Sequence, residues 1–218
     1  MKNKEFATAL NNLTRINYQS TDSSVFILHS SFFFVSLQPI MTPEEFVQLK
    51  AFARQDGALL SLLWIGALVC YVQGLTSPLL GMTALLLIVL SPLFAANRLR
   101  HFRDYAREGF ITFRRGYAYT ILIFFYGGLL LAAALYVYFA FIDQGYLLGK
   151  LTEMMHTAEG EQAIQAYGMQ EEMEQGLRTL TEMRPIDYAL NMLTINIMTG
   201  FFLGIPIAAA VRKLKVEN

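Results

Sequence analysis

The stretch RLRHFRDYAREGFITFRRGYAY, residues 98–119, sets six arginines between two long apolar runs: Arg98, Arg100, Arg103, Arg107, Arg114 and Arg115. Guanidinium groups at this density suit phosphate, which they hold by charge and by paired N–H donors. Phe102, Ala106, Gly109, Phe110 and Phe113 recur at helical spacing, while Arg100, Arg103 and Arg107 fall on another face. That pattern predicts an amphipathic helix lying on a membrane surface or extending the next apolar run. Each basic residue near an anionic surface contributes about 1 kcal/mol, so contact with anionic headgroups follows from position alone. Nothing beyond charge supports nucleic acid, and no nucleic-acid partner is expected.

Two further groups of side chains could carry chemistry. Met154, Met155, Met169, Met173 and Met183 lie near His156, and thioether sulfurs are soft ligands suited to Cu(I). Methionine also fills irregular gaps between helices, and packing is the expected use here. In the last apolar run Asn191, Thr194, Asn196 and Thr199 are polar. Asn191 and Asn196 are candidates for a small intramembrane polar pocket, with inter-helix hydrogen bonds as the alternative. The three histidines, His29, His101 and His156, are scattered, and no HExxH, GxSxG, Walker A or CxxC pattern occurs. The lone cysteine, Cys70, excludes a disulfide within the chain. No catalytic residue, metal site or cofactor is expected.

These groups must be positioned by elements whose nature composition fixes. Of 218 residues, 55% are hydrophobic and 16% charged, against about 25% charged in an ordinary soluble domain. Mean hydropathy is +0.40. Crossing a hydrocarbon core takes roughly 20 mainly apolar residues, and residues 58–75, 78–96, 117–142 and 187–211 qualify. No Asp, Glu, Lys, Arg or His lies between 58 and 96 or between 117 and 142. The expected fold is therefore an all-α membrane protein with four transmembrane helices. Gly128 with Ala132, and Gly200 with Gly204, are small-xxx-small pairs that permit close helix approach, within the bundle or between subunits.

Charge gives the threading. The 17 basic and 17 acidic residues cancel overall but are unevenly placed. The Arg-rich loop 97–116 and the tail VRKLKVEN are basic, whereas the connection 143–186 has eight acids against Lys150, Arg178 and Arg184. Since retained cytoplasmic loops carry the excess of Lys and Arg, both termini and the Arg-rich loop are expected inside and the acidic connection outside. That connection alternates helix-forming runs with breakers and predicts two or three short helices forming an outward hairpin, closed by Pro185. Upstream, residues 41–57 predict an amphipathic cytoplasmic helix, with Thr42 as cap, Pro43 in the first turn and Glu45 completing a capping box. Residues 1–40 change character and are expected to be a disordered arm or a start-site artefact.

The runs FRDYAREGFITFRRGYAYTILIFFYGG, FIDQGY and MRPIDYALNMLTINI resemble the "domain of unknown function 4199" proteins of Bacteroidota, over about residues 41–218. The resemblance implies a small four-span inner-membrane protein and brings no established activity, so no catalytic residue is carried over from it. The functional expectation is a non-enzymatic accessory or scaffold subunit. Its expected contacts are membrane lipids and either a second copy or an envelope protein. A small permease or lipid-handling protein is the alternative.

Overall fold

The computed structural model describes residues 41–214, and the expectation for residues 1–40 lies outside them. The chain divides between Gln48 and Leu49 into two units, of which the first is described only over residues 41–48. There the start of the first helix closes as its sequence predicts. The Glu45 backbone N–H donates to Thr42 Oγ1 at 3.3 Å, and the Thr42 N–H donates to Glu45 Oε2 at 3.2 Å.

Among the described residues seven α-helices follow in order: α1 (Pro43–Gly74), α2 (Pro78–Ala106), α3 (Phe113–Val137), α4 (Tyr146–Met155), α5 (Ala158–Tyr167), α6 (Gln170–Glu182) and α7 (Pro185–Val211). A π-helical turn, Tyr138–Ile142, extends α3. Among the described residues four helices are long and apolar enough to cross a membrane: Pro43–Gly74, Pro78–Ala106, Phe113–Ile142 and Pro185–Val211. Among the described residues there is no strand, only one antiparallel bridge between Ile111 and Lys213. The protein is an all-α multi-pass membrane protein.

The four long helices are not equivalent. Within the most apolar stretch of each, 56% of α3 with its π turn is buried but only 17% of α2, which makes α3 the hub and α2 peripheral. The outer side of α2 exposes Leu79, Met82, Leu85, Leu86, Val89 and Leu93. In water such a surface would invite association, whereas in a bilayer it meets the solvent it is made for. Helices α3 and α7 run antiparallel in close register. Gly116 lies by Ala208, Tyr117 by Gly204, Phe124 by Gly200 and Gly128 by Asn196. At the far end Phe139 stacks on Tyr188 with centroids 4.1 Å apart.

The helices overrun the apolar runs that mark them in the sequence, and this changes two expectations. First, α1 is one continuous helix whose membrane-crossing part joins the charged stretch before residue 58, so Asp56 lies inside it. Second, the amphipathic pattern from Phe102 to Phe113 is not one helix. It breaks after Ala106 because Glu108 and Gly109 take positive φ (52° and 84°), and Ile111 then pairs with Lys213 through N–H···O bonds of 2.9 and 3.1 Å. Three short helices, α4 to α6, occupy the acidic connection.

The start of α7 is held by the Asp187 carboxylate. The Arg184 backbone N–H, its Nε and one terminal guanidinium nitrogen donate to Asp187, each at 2.9 Å. Asp187→Ala is expected to fray the first turn of α7 and leave the rest of the helix intact. Hydrogen exchange should show this as faster exchange confined to the amides near residues 187–189; unchanged protection there would contradict it.

Candidate functional site

The polar centre of the membrane-spanning bundle is made by side chains that the sequence places at the edges of its apolar runs. Asp56 of α1 is 1% exposed. Its Oδ1 accepts from Arg98 of α2, with Nε at 2.7 Å and the terminal guanidinium nitrogen at 2.5 Å. Its Oδ2 accepts from the Tyr119 hydroxyl of α3, a residue with no exposed surface. One carboxylate therefore ties three helices together. Apolar rings enclose it: Phe102 stacks on Tyr119 at 4.5 Å, and Phe52 tilts against Phe102 at 5.3 Å. A buried carboxylate left alone would be costly, whereas one with an opposed guanidinium and a hydroxyl donor has its charge and both oxygens satisfied.

Geometry explains why these residues meet. Gly57, next to Asp56, lets α1 pack directly on α3: a Cβ there would stand 2.8 Å from Tyr126 Cβ and 3.0 Å from both the Gly127 nitrogen and the Ile123 oxygen. Trp64 continues the contact about two turns later against Phe124, ring centroids 5.6 Å apart. The apolar pattern alone could not reveal the clasp, because Asp56 and Arg98 both sit outside the uncharged runs. The available signal was Tyr119, a hydroxyl inside an apolar helix that needs a partner when buried.

The six arginines of the loop have different surroundings. Arg98 is turned to Asp56, so its side chain is used within the bundle rather than on a headgroup. Arg103 donates to Asp104 and also, at 3.0 Å, to the Val211 carbonyl, closing the last turn of α7. Arg100 and Arg114 are exposed, while Arg107 and Arg115 are half-buried. Beside them Lys213 lies 5.7 Å over the Phe110 ring. His101 stacks on Tyr105 at 4.3 Å, and its Nδ1 is a buried atom with no hydrogen-bond partner.

The small residues lie inside the bundle. A Cβ on Gly200 would meet Phe124 Cβ at 2.7 Å, one on Gly128 would meet Asn196 Cβ at 2.9 Å, and Gly204 faces the Tyr117 ring. Ala132 is buried on α3. Asn191 and Asn196 are not brought together. Asn191 is exposed, whereas Asn196 is buried and donates to the Met192 carbonyl at 2.9 Å, because five residues turn a helix well past one face. Met169 and Met173 are exposed, and His156 lies 3.8 Å from Glu161.

A second polar centre closes the opposite end of α3. Asp143 is buried and accepts from the backbone N–H groups of Gly145 and Leu147, both at 3.1 Å. The Tyr188 hydroxyl donates to the Leu180 carbonyl at 2.5 Å, joining α7 to α6. Between these groups is a cavity of about 190 Å³. Neither the π turn nor this cavity has a signal in the hydropathy pattern.

Residues 57–213 fit the family model described as "Protein of unknown function (DUF4199)". No curated protein and no solved structure matches.

Proposed function

The chain belongs to the DUF4199 family of proteins of unknown function, and on that premise we propose that it is a non-enzymatic accessory or scaffold subunit of the bacterial inner membrane. The observation that carries this reading is how the buried carboxylates are used. Among the described residues, Asp56 and Asp143 are buried, and each has both oxygens engaged by protein donors. A catalytic or ion-coupling carboxylate has to be offered to a reacting group or ion, whereas Asp56 ties three helices together and Asp143 braces the turn into α4.

In the proposed threading both termini and the Arg-rich loop face the cytoplasm, and α4 to α6 face outward. The acidic surface of α5 and α6 is then presented to an envelope partner or a second copy, with Tyr167, 80% exposed, at its tip. Cysteines placed at Tyr167 and Arg100 in a Cys70→Ser background test the threading. Tyr167→Cys is expected to react with an impermeant maleimide on intact spheroplasts, and Arg100→Cys only after lysis. The reverse order would overturn the topology. Purification in mild detergent should yield an assembly larger than the protomer, and recovery of monomer with lipid alone would count against the scaffold reading. A lipid-handling role is the second reading, favoured by the cavity that Phe139 and Tyr188 border.

A further inference from the structure

The cavity at the end of the bundle remote from the Arg-rich loop is enclosed by the π turn and helices α4, α6 and α7. Leucines 147, 148, 151 and 180 and Met183 make its apolar lining, and the carboxylate of Asp143 stands in its polar wall. We propose that it seats part of one acyl chain of an amine-headgroup phospholipid, with the lipid ammonium against Asp143.

Size, position and charge each support this occupant. A volume of about 190 Å³ is below the roughly 300–1,000 Å³ of a pocket for a drug-sized molecule, so it suits a segment of flexible chain. Phe139 and Tyr188 belong to the ends of two membrane-crossing helices, which puts the cavity at headgroup depth. Flanking residues Phe141, Ile142 and Ile186 are exposed and carry the lipid-facing surface up to the cavity. The carboxylate of Asp143 accepts from the Gly145 and Leu147 N–H groups, one to each oxygen, and a carboxylate has about four acceptor positions, which leaves room for an ammonium donor. Nearby cations are already matched, Lys150 to Glu153 and Arg184 to Asp187. A headgroup that carries only negative charge would meet Asp143 with repulsion.

Native mass spectrometry of the full-length protein tests the proposal, with an equimolar probe of phosphatidylethanolamine and phosphatidylglycerol of matched chains. One phosphatidylethanolamine is expected to stay bound with a preference of roughly tenfold, the scale of one charge-assisted hydrogen bond. Asp143→Asn should abolish the preference, while its remaining amide oxygen still accepts from one of the two backbone N–H groups, with helicity checked by circular dichroism. Leu148→Trp fills the cavity and should lower retention of both lipids by about tenfold or more, with helicity checked by circular dichroism. Where that variant loses helicity, Leu151→Phe makes the same comparison. Equal retention of the two headgroups by the wild type would overturn the proposal. So would wild-type retention by a folded cavity-filling variant.

Discussion

Asp56→Ala is expected to destabilise the bundle by about 3 kcal/mol, the lower end of the range for breaking a buried ion pair. The lower end applies because the Arg98 side chain keeps 22% of its surface exposed and regains some hydration when its partner is lost. Arg98→Leu should cost about as much, since it leaves the carboxylate with Tyr119 alone. Tyr119→Phe should cost less, about 1–3 kcal/mol, the cost of leaving one buried acceptor without its donor. The double variant Asp56→Leu/Arg98→Leu separates charge burial from lost packing. A buried pair replaced by apolar residues of similar volume is often neutral, so the double variant should recover most of the loss. Unfolding of the detergent-solubilised protein, followed by circular dichroism during SDS titration, reads all four. A double variant as unstable as the sum of the single ones would show that the clasp contributes specific stability beyond its own desolvation.

Gly57→Leu is the second large effect, with a loss of about 3 kcal/mol or more. Overpacking a filled site costs about 1–3 kcal/mol when side chains can adjust, but here two of the three nearest atoms are backbone, the Gly127 nitrogen and the Ile123 oxygen. The helix axis has to move, and moving α1 off α3 also draws Asp56 away from Tyr119. Gly66→Leu in the same helix is the control, because nothing lies within 4 Å of the position its Cβ would take. It should change stability by no more than about 0.5 kcal/mol, as surface substitutions do. Equal losses at the two positions would contradict the close approach of α1 to α3 as the cause, since leucine favours a helix more than glycine does at both.

The spans were legible because lipid demands one thing of the chain, a run of apolar residues long enough to cross. All four apolar runs are helices, and Pro78 and Pro185 open two of them as their fixed φ favours. The ends were less legible. Asp56 and Arg98 interrupt the hydropathy pattern, so a reading by hydropathy cuts the helices short, yet the two charges neutralise one another and the helices continue through both. Helical spacing also continued the Arg-rich loop past Ala106, where the positive φ of Gly109 and the Ile111–Lys213 pairing end the helix. That pairing joins segments about a hundred residues apart, which no local pattern can encode. The same limit hid the outer cavity, whose walls come from residues 139–151 and 180–188.

The proposal that this protein serves as a scaffold is tested most directly by photocrosslinking in living cells. A photoreactive residue at Tyr167 samples the exposed tip of the acidic connection, and one at Phe110 samples the basic loop. The scaffold reading predicts one recurring protein captured at Tyr167, identified by mass spectrometry, and lipid at Phe110. Lipid at Phe110 with no protein at Tyr167 would contradict it and favour the lipid-handling role.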